Sequence, residues 1–189
     1  MNFPPLILAS KSPRRQELLA LLGLDFRVVL KEVDESYPEQ LSPEEVAVYI
    51  AEKKAKHFVE DTMGEVVITA DTLVVIDGQI LGKPDDAAHA FEILSQLSGR
   101  THEVITGVCL LKDHQLHSFY EKSEVHFKPL TPEQIQHYIA TGQPMDKAGA
   151  YGIQEWIGLV GIEKIVGSYT NVVGLPTHRL YEELVKLHR

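Results

Sequence analysis

Three clusters of residues in this chain have types and spacings suited to chemistry on an anion. The first is Ala9-Ser10-Lys11-Ser12-Pro13-Arg14-Arg15. A helix starting at Pro13 presents unpaired N–H groups and partial positive charge at its first turn, a setting that suits phosphate. Two serine hydroxyls and two arginines add donors there, and arginine's fork grips phosphate oxygens in pairs. The ordinary alternative is an N-cap serine followed by two solvated arginines.

The second cluster joins Thr69-Ala70-Asp71-Thr72 to Gly82-Lys83-Pro84. Asp71 interrupts an apolar strand, where an unpaired buried carboxylate would be too costly. Asp77-Gly78 between two β-branched runs signals a two-residue hairpin turn. If Ile76 pairs with Gln79, Thr72 falls opposite Lys83, and strict alternation puts Asp71 and Lys83 on opposite faces. A bulge at Gly82, or a strand ending near Asp71, brings the two together. A carboxylate and an ammonium in one neighbourhood suit a metal–phosphate site, and equally a plain ion pair. The run from Gly78 to Pro84 departs from a P-loop. Three residues separate its glycines where four are needed, and proline follows the lysine where Ser or Thr is needed.

The third cluster is Asp146-Lys147-Ala148-Gly149-Ala150-Tyr151-Gly152-Ile153-Gln154. Lys147 is able to meet an anion, and Gln154 offers both a donor and an acceptor. Gly149 and Gly152 permit positive φ or close backbone approach. A glycine-containing connection between helix and strand would look the same. Elsewhere, Asp34 and Glu35 offer oxygens to a hard cation, although a solvated acidic loop has this composition too. Lys53, Lys54 and Lys56 have the pattern of a solvated helix face. The nine histidines lack paired-ligand spacing for zinc. Cys109, the single cysteine, excludes an intrachain disulfide and reads as a small buried hydrophobe.

The elements that must position these residues alternate between α and β. Leu6–Ser10 reads as a buried strand. Pro13–Leu22 is a helix capped by Ser12, with Leu18, Leu19, Leu21 and Leu22 on its apolar face and Gly23 as its stop. Phe26–Leu30 is a strand and Glu32–Glu39 a loop. Pro43–Phe58 is a helix opened by a Ser42/Glu45 capping box. Val66–Leu81 is the hairpin, Asp85–Leu97 a helix, and Val104–Leu111 and Leu116–Phe127 strands joined around Asp113-His114. Thr131 opens a helix running to about Ala140. Ile162–Val173 holds one or two strands, and Pro176–Leu187 is the closing helix. This order predicts an α/β fold with a mixed sheet.

A length of 189 residues corresponds to about one domain, here taken as 1–189. Hydrophobic content of 44% and charged content of 24% exclude disordered, collagenous and coiled-coil classes. No apolar run reaches the ~20 residues of a membrane helix. The N-terminal stretch lacks the basic region of a signal peptide. A cytoplasmic protein without membrane association is expected. The net charge of −9 disfavours a nucleic-acid-binding module. A small anionic ligand would need its own basic pocket in this acidic surface.

Taken together, the segments resemble the Maf family of nucleotide pyrophosphatases. They are ILASKSPRRQELL, GLDF, VDE, AEKKAK, ITADTLV, GKP, LSGRTHEVITGV, MDKAGAYGIQ and SYTNVVGLP, in this order over nearly the whole chain. The resemblance implies a two-lobed α/β fold with an elongated mixed sheet and a central cleft, related to the inosine-triphosphate pyrophosphatases. It implies hydrolysis of nucleoside triphosphates to the monophosphate and pyrophosphate, dependent on Mg²⁺ or Mn²⁺. Arg14, Thr72 and Gln154 match the branch acting on dTTP and UTP. The branch acting on 7-methyl-GTP carries Trp, Gln and Glu at those places. Carried over by motif, Asp71 is the proton acceptor. Glu35 and Asp71 are metal ligands, with Glu35 and Lys83 also in the catalytic set. Ser10, Arg15, Lys54 and Lys147 bind substrate beside Arg14, Thr72 and Gln154. The resemblance leaves a homodimer open. Maf proteins are also linked to inhibition of septum formation, so the non-enzymatic alternative is a nucleotide-binding regulator of that process.

Overall fold

The structure is a computed structural model that describes residues 3–60 and 62–188. The first two residues of the N-terminal stretch read above lie outside the described residues. The elements are, in chain order, β1 (Leu6–Leu8), α1 (Pro13–Leu21), β2 (Phe26–Val28), α2 (Pro43–Lys56), β3 (Val66–Ile76), β4 (Gln79–Leu81), α3 (Ala87–Leu97), β5 (Thr101–Lys112), β6 (Gln115–Phe127) and α4 (Pro132–Ala140). Two short 3₁₀ turns (Gln143–Asp146 and Ala148–Ala150) follow, then α5 (Trp156–Gly161), β7 (Ile162–Val166), α6 (Tyr169–Val173) and α7 (Thr177–His188). Among the described residues the strands form one sheet of seven in the order β2-β1-β3-β5-β6-β7, with β4 paired to β3. Strand β1 runs parallel to both β2 and β3, whereas β3–β4 and β6–β7 are antiparallel. The sheet is therefore mixed, as the alternation of elements predicts.

The chain divides into two compact units. The first comprises Met1–Asp71, Thr106–Glu121 and Gly174–Arg189, and the second Thr72–Ile105 and Lys122–Val173. In the first, side chains alternate across the sheet. Leu6, Leu8, Val66, Ile68, Val108 and Leu110 pack with Leu19 of α1 and Leu180 and Leu184 of α7. Ile7, Val67, Cys109 and Leu111 pack with Ala51 and Ala55 of α2. Both faces of these strands are covered, so β1 and the first half of β3 read as continuous apolar runs. In the second unit, Val74, Ile76, Val104 and Val125 pack against Ile93, Leu94 and Leu97 of α3 and Tyr138 of α4.

Local signals explain most element boundaries. The Ser12 hydroxyl accepts from the Arg15 N–H, and Ser42 and Glu45 form their capping box. Gly23 stops α1 with φ 70°. The Asp77-Gly78 turn has φ values of 51° and 77°, and Ile76 pairs with Gln79 as the turn requires. Asp113 and His114 also both have positive φ, and they close the β5–β6 turn without a glycine.

Several expectations need correction. Leu21 is exposed, because α1 buries only Leu19 fully. Helix α3 starts at Ala87 rather than Asp85, since the Asp86 carboxylate caps it by accepting from the His89 N–H. The segment 162–173 holds one strand and one helix. The Ser168 hydroxyl accepts from the Asn171 N–H at 3.3 Å and turns the chain into α6. Helix α5 was not foreseen. It folds tightly back on the preceding turn, and a Cβ on Gly158 would lie 1.8 Å from the Ile153 carbonyl oxygen.

Candidate functional site

In the first unit, the Ser10–Arg15 turn leads into the N-terminus of α1. The Ser10 Oγ accepts from the Ser12 N–H at 3.2 Å and from Arg15 Nη1 at 3.3 Å. Arg15 also donates from Nε to the Gly174 carbonyl at 2.8 Å and from Nη1 to the Ala70 carbonyl at 2.9 Å. Its guanidinium ties the turn to Ala70 within β3 and to Gly174 just after α6, a role the phosphate reading of the sequence did not contain. Burial lowers the Arg15 pKa, as does the like charge of Arg14, while Asp71 and Glu35 pull the other way. Guanidinium stays protonated under such perturbation, so this part-buried group contributes a fixed positive charge beside Asp71.

Asp71 lies in β3, and its side chain is 14% exposed. Its Oδ1 accepts from Lys54 Nζ at 2.8 Å, and the same ammonium is 2.9 Å from Glu35 Oε1. Lys54 thus bridges the two carboxylates singled out in the sequence, and at 16% exposure it is not part of a solvated face. Lys56 fits the solvated reading, while Lys53 reaches over the acidic loop. Its Nζ donates to Asp34 Oδ2 at 2.9 Å and to the Ser36 carbonyl at 3.0 Å. The Ser36 hydroxyl and N–H also bond Asp34. Hydrogen bonds from Ser36 and Lys53 hold the Asp34 carboxyl down at about 2. The loop carrying Glu35 is therefore pinned on both sides of that residue. Helix α2, which supplies Lys53 and Lys54, packs so closely on β5 that a Cβ on Gly107 would lie 2.3 Å from the Ala47 backbone.

No group of three or more His, Cys, Asp or Glu side chains poised for a metal exists among the described residues. Two carboxylates within 3 Å of one cation are present instead. That donor set fits Mg²⁺ or Mn²⁺, which accept one or two carboxylates and complete their shell with phosphate oxygens and water.

In the second unit, Thr72 continues β3 directly after Asp71. The β3–β4 ladder ends at Val74–Leu81, so the Thr72–Lys83 pairing expected from the hairpin does not form. Lys83 follows the end of β4 and is exposed. Gly82 is joined to the third cluster, because its carbonyl accepts from the Gly149 N–H at 3.1 Å. Gly149 has φ 67°, and a Cβ there would come within 2.7–2.9 Å of the Val74 side chain. Both uses of glycine foreseen at this position, positive φ and close approach, are present. Ala150 is buried with φ 57°, a backbone conformation that costs a non-glycine residue on the order of 1 kcal/mol.

Lys147 is 7% exposed. Its Nζ donates to the Gln143 carbonyl and to Asp146 Oδ1 at 2.6 Å, and it forms an ion pair with Glu155 Oε1 at 2.9 Å. The other Glu155 oxygen accepts from the Tyr138 hydroxyl, which in turn accepts from the Gly152 N–H at 3.1 Å. Burial and the adjacent Glu155 carboxylate raise the Tyr138 pKa, so the hydroxyl stays protonated and donating. Tyr138 and Glu155 escaped the sequence reading. The one available signal was that Glu155 directly follows the glycine-containing run. Gln154 lines a concavity of about 350 Å³ together with Ile153, Ile162, Ile165 and Tyr169.

A model of the family described as Maf-like protein matches residues 5–187. A protein of Bacteroides thetaiotaomicron named dTTP/UTP pyrophosphatase is 50% identical over 184 residues, covering 96% of this chain and 95% of its own. One of the same name from Phocaeicola vulgatus is 51% identical over 185 residues, with the same coverage of 96% and 95%. Among solved structures, the Ham1 protein of Coxiella burnetii superposes with a TM-score of 0.53 at 14% identity, covering 97% of this chain and 99% of that one. The Staphylococcus aureus Ham1 protein gives 0.51 at 15%, covering 95% and 99%. At such identities these two structures show a shared fold.

Proposed function

The chain belongs to the Maf family, and from that premise we propose that it hydrolyses dTTP and UTP to the nucleoside monophosphate and pyrophosphate. The observation that carries this reading is the Glu35–Lys54–Asp71 arrangement in a chain half identical to proteins named for that activity.

Asp71 takes the proton from the attacking water. The Lys54 ammonium, 2.8 Å from Asp71 Oδ1, holds that carboxylate in place. Glu35 and Asp71 would hold a divalent cation, which when bound would supply charge neutralisation for the triphosphate. Ser10 and the first turn of α1 offer donors to phosphate, beside the fixed charge of Arg15. Lys83 and Lys147 neutralise further phosphate charge. Most of the rate enhancement in such a reaction is positioning and electrostatic stabilisation.

Arg14, Thr72 and Gln154 set the base preference. Uracil and thymine present acceptor, donor, acceptor along one edge, and the amide of Gln154 satisfies one acceptor and the donor together. Cytosine reverses two of the three groups and loses that pairing. A site built to hydrogen-bond a base rejects a mismatch strongly because buried polar groups are left unpaired. The reaction belongs in the cytoplasm, where its substrates are found, and none of the described helices is long and apolar enough to cross a membrane.

The test is kcat/KM with dTTP, UTP, CTP, GTP, 7-methyl-GTP and ITP at fixed metal, with pyrophosphate and monophosphate both measured. The highest values are expected with dTTP and UTP. An optimum at 7-methyl-GTP or ITP overturns the base assignment alone. Absence of pyrophosphate release from every nucleotide overturns the enzymatic reading and leaves the nucleotide-binding regulator.

A further inference from the structure

We infer that Tyr138 and Glu155 are positioning residues of the substrate site, acting through Lys147, and that a substrate phosphate takes the place of Asp146 on the Lys147 ammonium. This rests on the reading that Lys147 meets phosphate. An ammonium has three N–H donors, and three protein oxygens crowd it here: the Gln143 carbonyl and Asp146 Oδ1 accept hydrogen bonds, and Glu155 Oε1 forms an ion pair at 2.9 Å. With Lys147 only 7% exposed, a phosphate reaches the ammonium by displacing one of these oxygens.

The three oxygens are not equivalent. Glu155 is 12% exposed, and its second oxygen is held by the Tyr138 hydroxyl. The backbone closes over it as well, since a Cβ on Gly152 would lie 2.7–3.0 Å from its carboxylate. Releasing Lys147 from Glu155 would strand a largely desolvated carboxylate, a costly outcome. The Gln143 carbonyl belongs to the backbone of a 3₁₀ turn. Asp146 is 65% exposed, so water replaces Lys147 as its partner at little cost. The buried pair thus fixes the ammonium from behind and leaves the Asp146 side for the anion. Tyr138 reaches no phosphate in this arrangement, and its hydroxyl acts by holding Glu155 and the Gly152 N–H together.

The test uses Tyr138→Phe and Glu155→Asp, both of which leave net charge unchanged, so altered long-range attraction does not enter. Calorimetry with inorganic tripolyphosphate reads phosphate affinity without the base. Each variant should weaken binding on the order of tenfold. Each should also raise KM for UTP while kcat changes much less, a split that general loss of fold does not produce. In a Lys147→Met background the same two substitutions should add nothing. Equal losses with and without Lys147 overturn the inference, because the pair then supports the fold independently. Unchanged affinity in Tyr138→Phe and Glu155→Asp also overturns it. If Lys147→Met alone leaves tripolyphosphate affinity intact while UTP is still hydrolysed, the inference falls and the proposed activity stands.

Discussion

Lys54 and Lys147 each lie between two carboxylates, one part-buried and one exposed, but the chain holds them by different means. Lys54 projects from a fourteen-residue helix onto Asp71 in an eleven-residue strand. Both elements are packed over their length, so the pair inherits its geometry from regular structure. Lys147 sits between two 3₁₀ turns, in a segment with two consecutive positive φ values at Gly149 and Ala150. Its geometry comes from backbone strain, from Gly149 against Val74, and from the Tyr138–Glu155 pair behind it. An irregular segment needs dedicated side chains to hold an ammonium in place, whereas helix-on-strand packing does this without them. The first arrangement suits a group that takes a proton at a fixed point. The second suits one that exchanges partners.

Removing the proposed base tests the contrast most severely. Asp71→Asn should keep the fold and lower kcat by at least ~10². Asp146→Asn, the same change at the other lysine, should lower KM and leave kcat near its parent value. Steady-state kinetics with UTP checks both, and equal losses of kcat would erase the distinction.

Glycine substitutions probe how each lysine is supported. Gly107→Ala forces a methyl into the α2 backbone, which has no side chain to move aside. It should cost about 2–3 kcal/mol in denaturant unfolding and reduce activity through Lys54. Gly149→Ala meets both methyls and the Cβ of the stiff Val74 side chain and keeps an unfavourable φ. About 1–2 kcal/mol is expected, with the activity loss appearing in KM. A larger stability loss at Gly149 than at Gly107 would reverse the assignment of rigid and adaptable supports.

The smallest effect concerns a third cluster with the polarity inverted. The Glu183 carboxylate, 2% exposed, accepts from Arg179 at 2.7 Å and from Lys186 and His117 at 2.8 Å. Burial alone would raise its pKa, but the hydrogen bonds from Lys186, His117 and Arg179 outweigh burial and bring it to about 2. A carboxyl with a depressed folded-state pKa stabilises the protein above its unfolded pKa, and that stability is lost as pH falls towards 2. Between pH 5 and 3.5, Glu183 should cost the native state on the order of 1 kcal/mol. Unfolding of Glu183→Gln at both pH values should show a shallower loss. An unchanged slope would place the acid sensitivity elsewhere. His102 adds a second sensitivity of the same sign. Burial holds its imidazole down at about 3, so the folded state resists the proton that the unfolded chain accepts below about pH 6.5.

Much of the scaffold was legible because its determinants are local. Ser12, Ser42 and Thr131 cap helices within three residues of themselves, and Asp77-Gly78 sets the hairpin register from two positions. The segment 156–173 was harder to read. Its short helices α5 and α6 depend on close contacts at Gly158 and on the Ser168 cap rather than on an apolar stripe. The site was legible as a set of residues and not as a set of pairs. Asp71 was read together with Lys83, and the structure gives it Lys54, seventeen residues away on another element, as its ion-pair partner. Lys147 was recognised, while Tyr138 and Glu155 were not, because nothing in periodicity or turn chemistry marks a tyrosine on a helix as the support of a distant carboxylate.

The sequence by itself determined most of the elements, their caps and turns, the family, and which charged residues are candidates for chemistry. These depend on interactions spanning a few residues and on motif order. Only the tertiary structure decided who pairs with whom. Arg15 reaches the Gly174 carbonyl across 159 residues, and one ammonium came to join Glu35 to Asp71. The physical reason is that an ion pair is strong only where burial removes water from around it. Burial is a property of the packed sheet and helices, and no segment carries it alone.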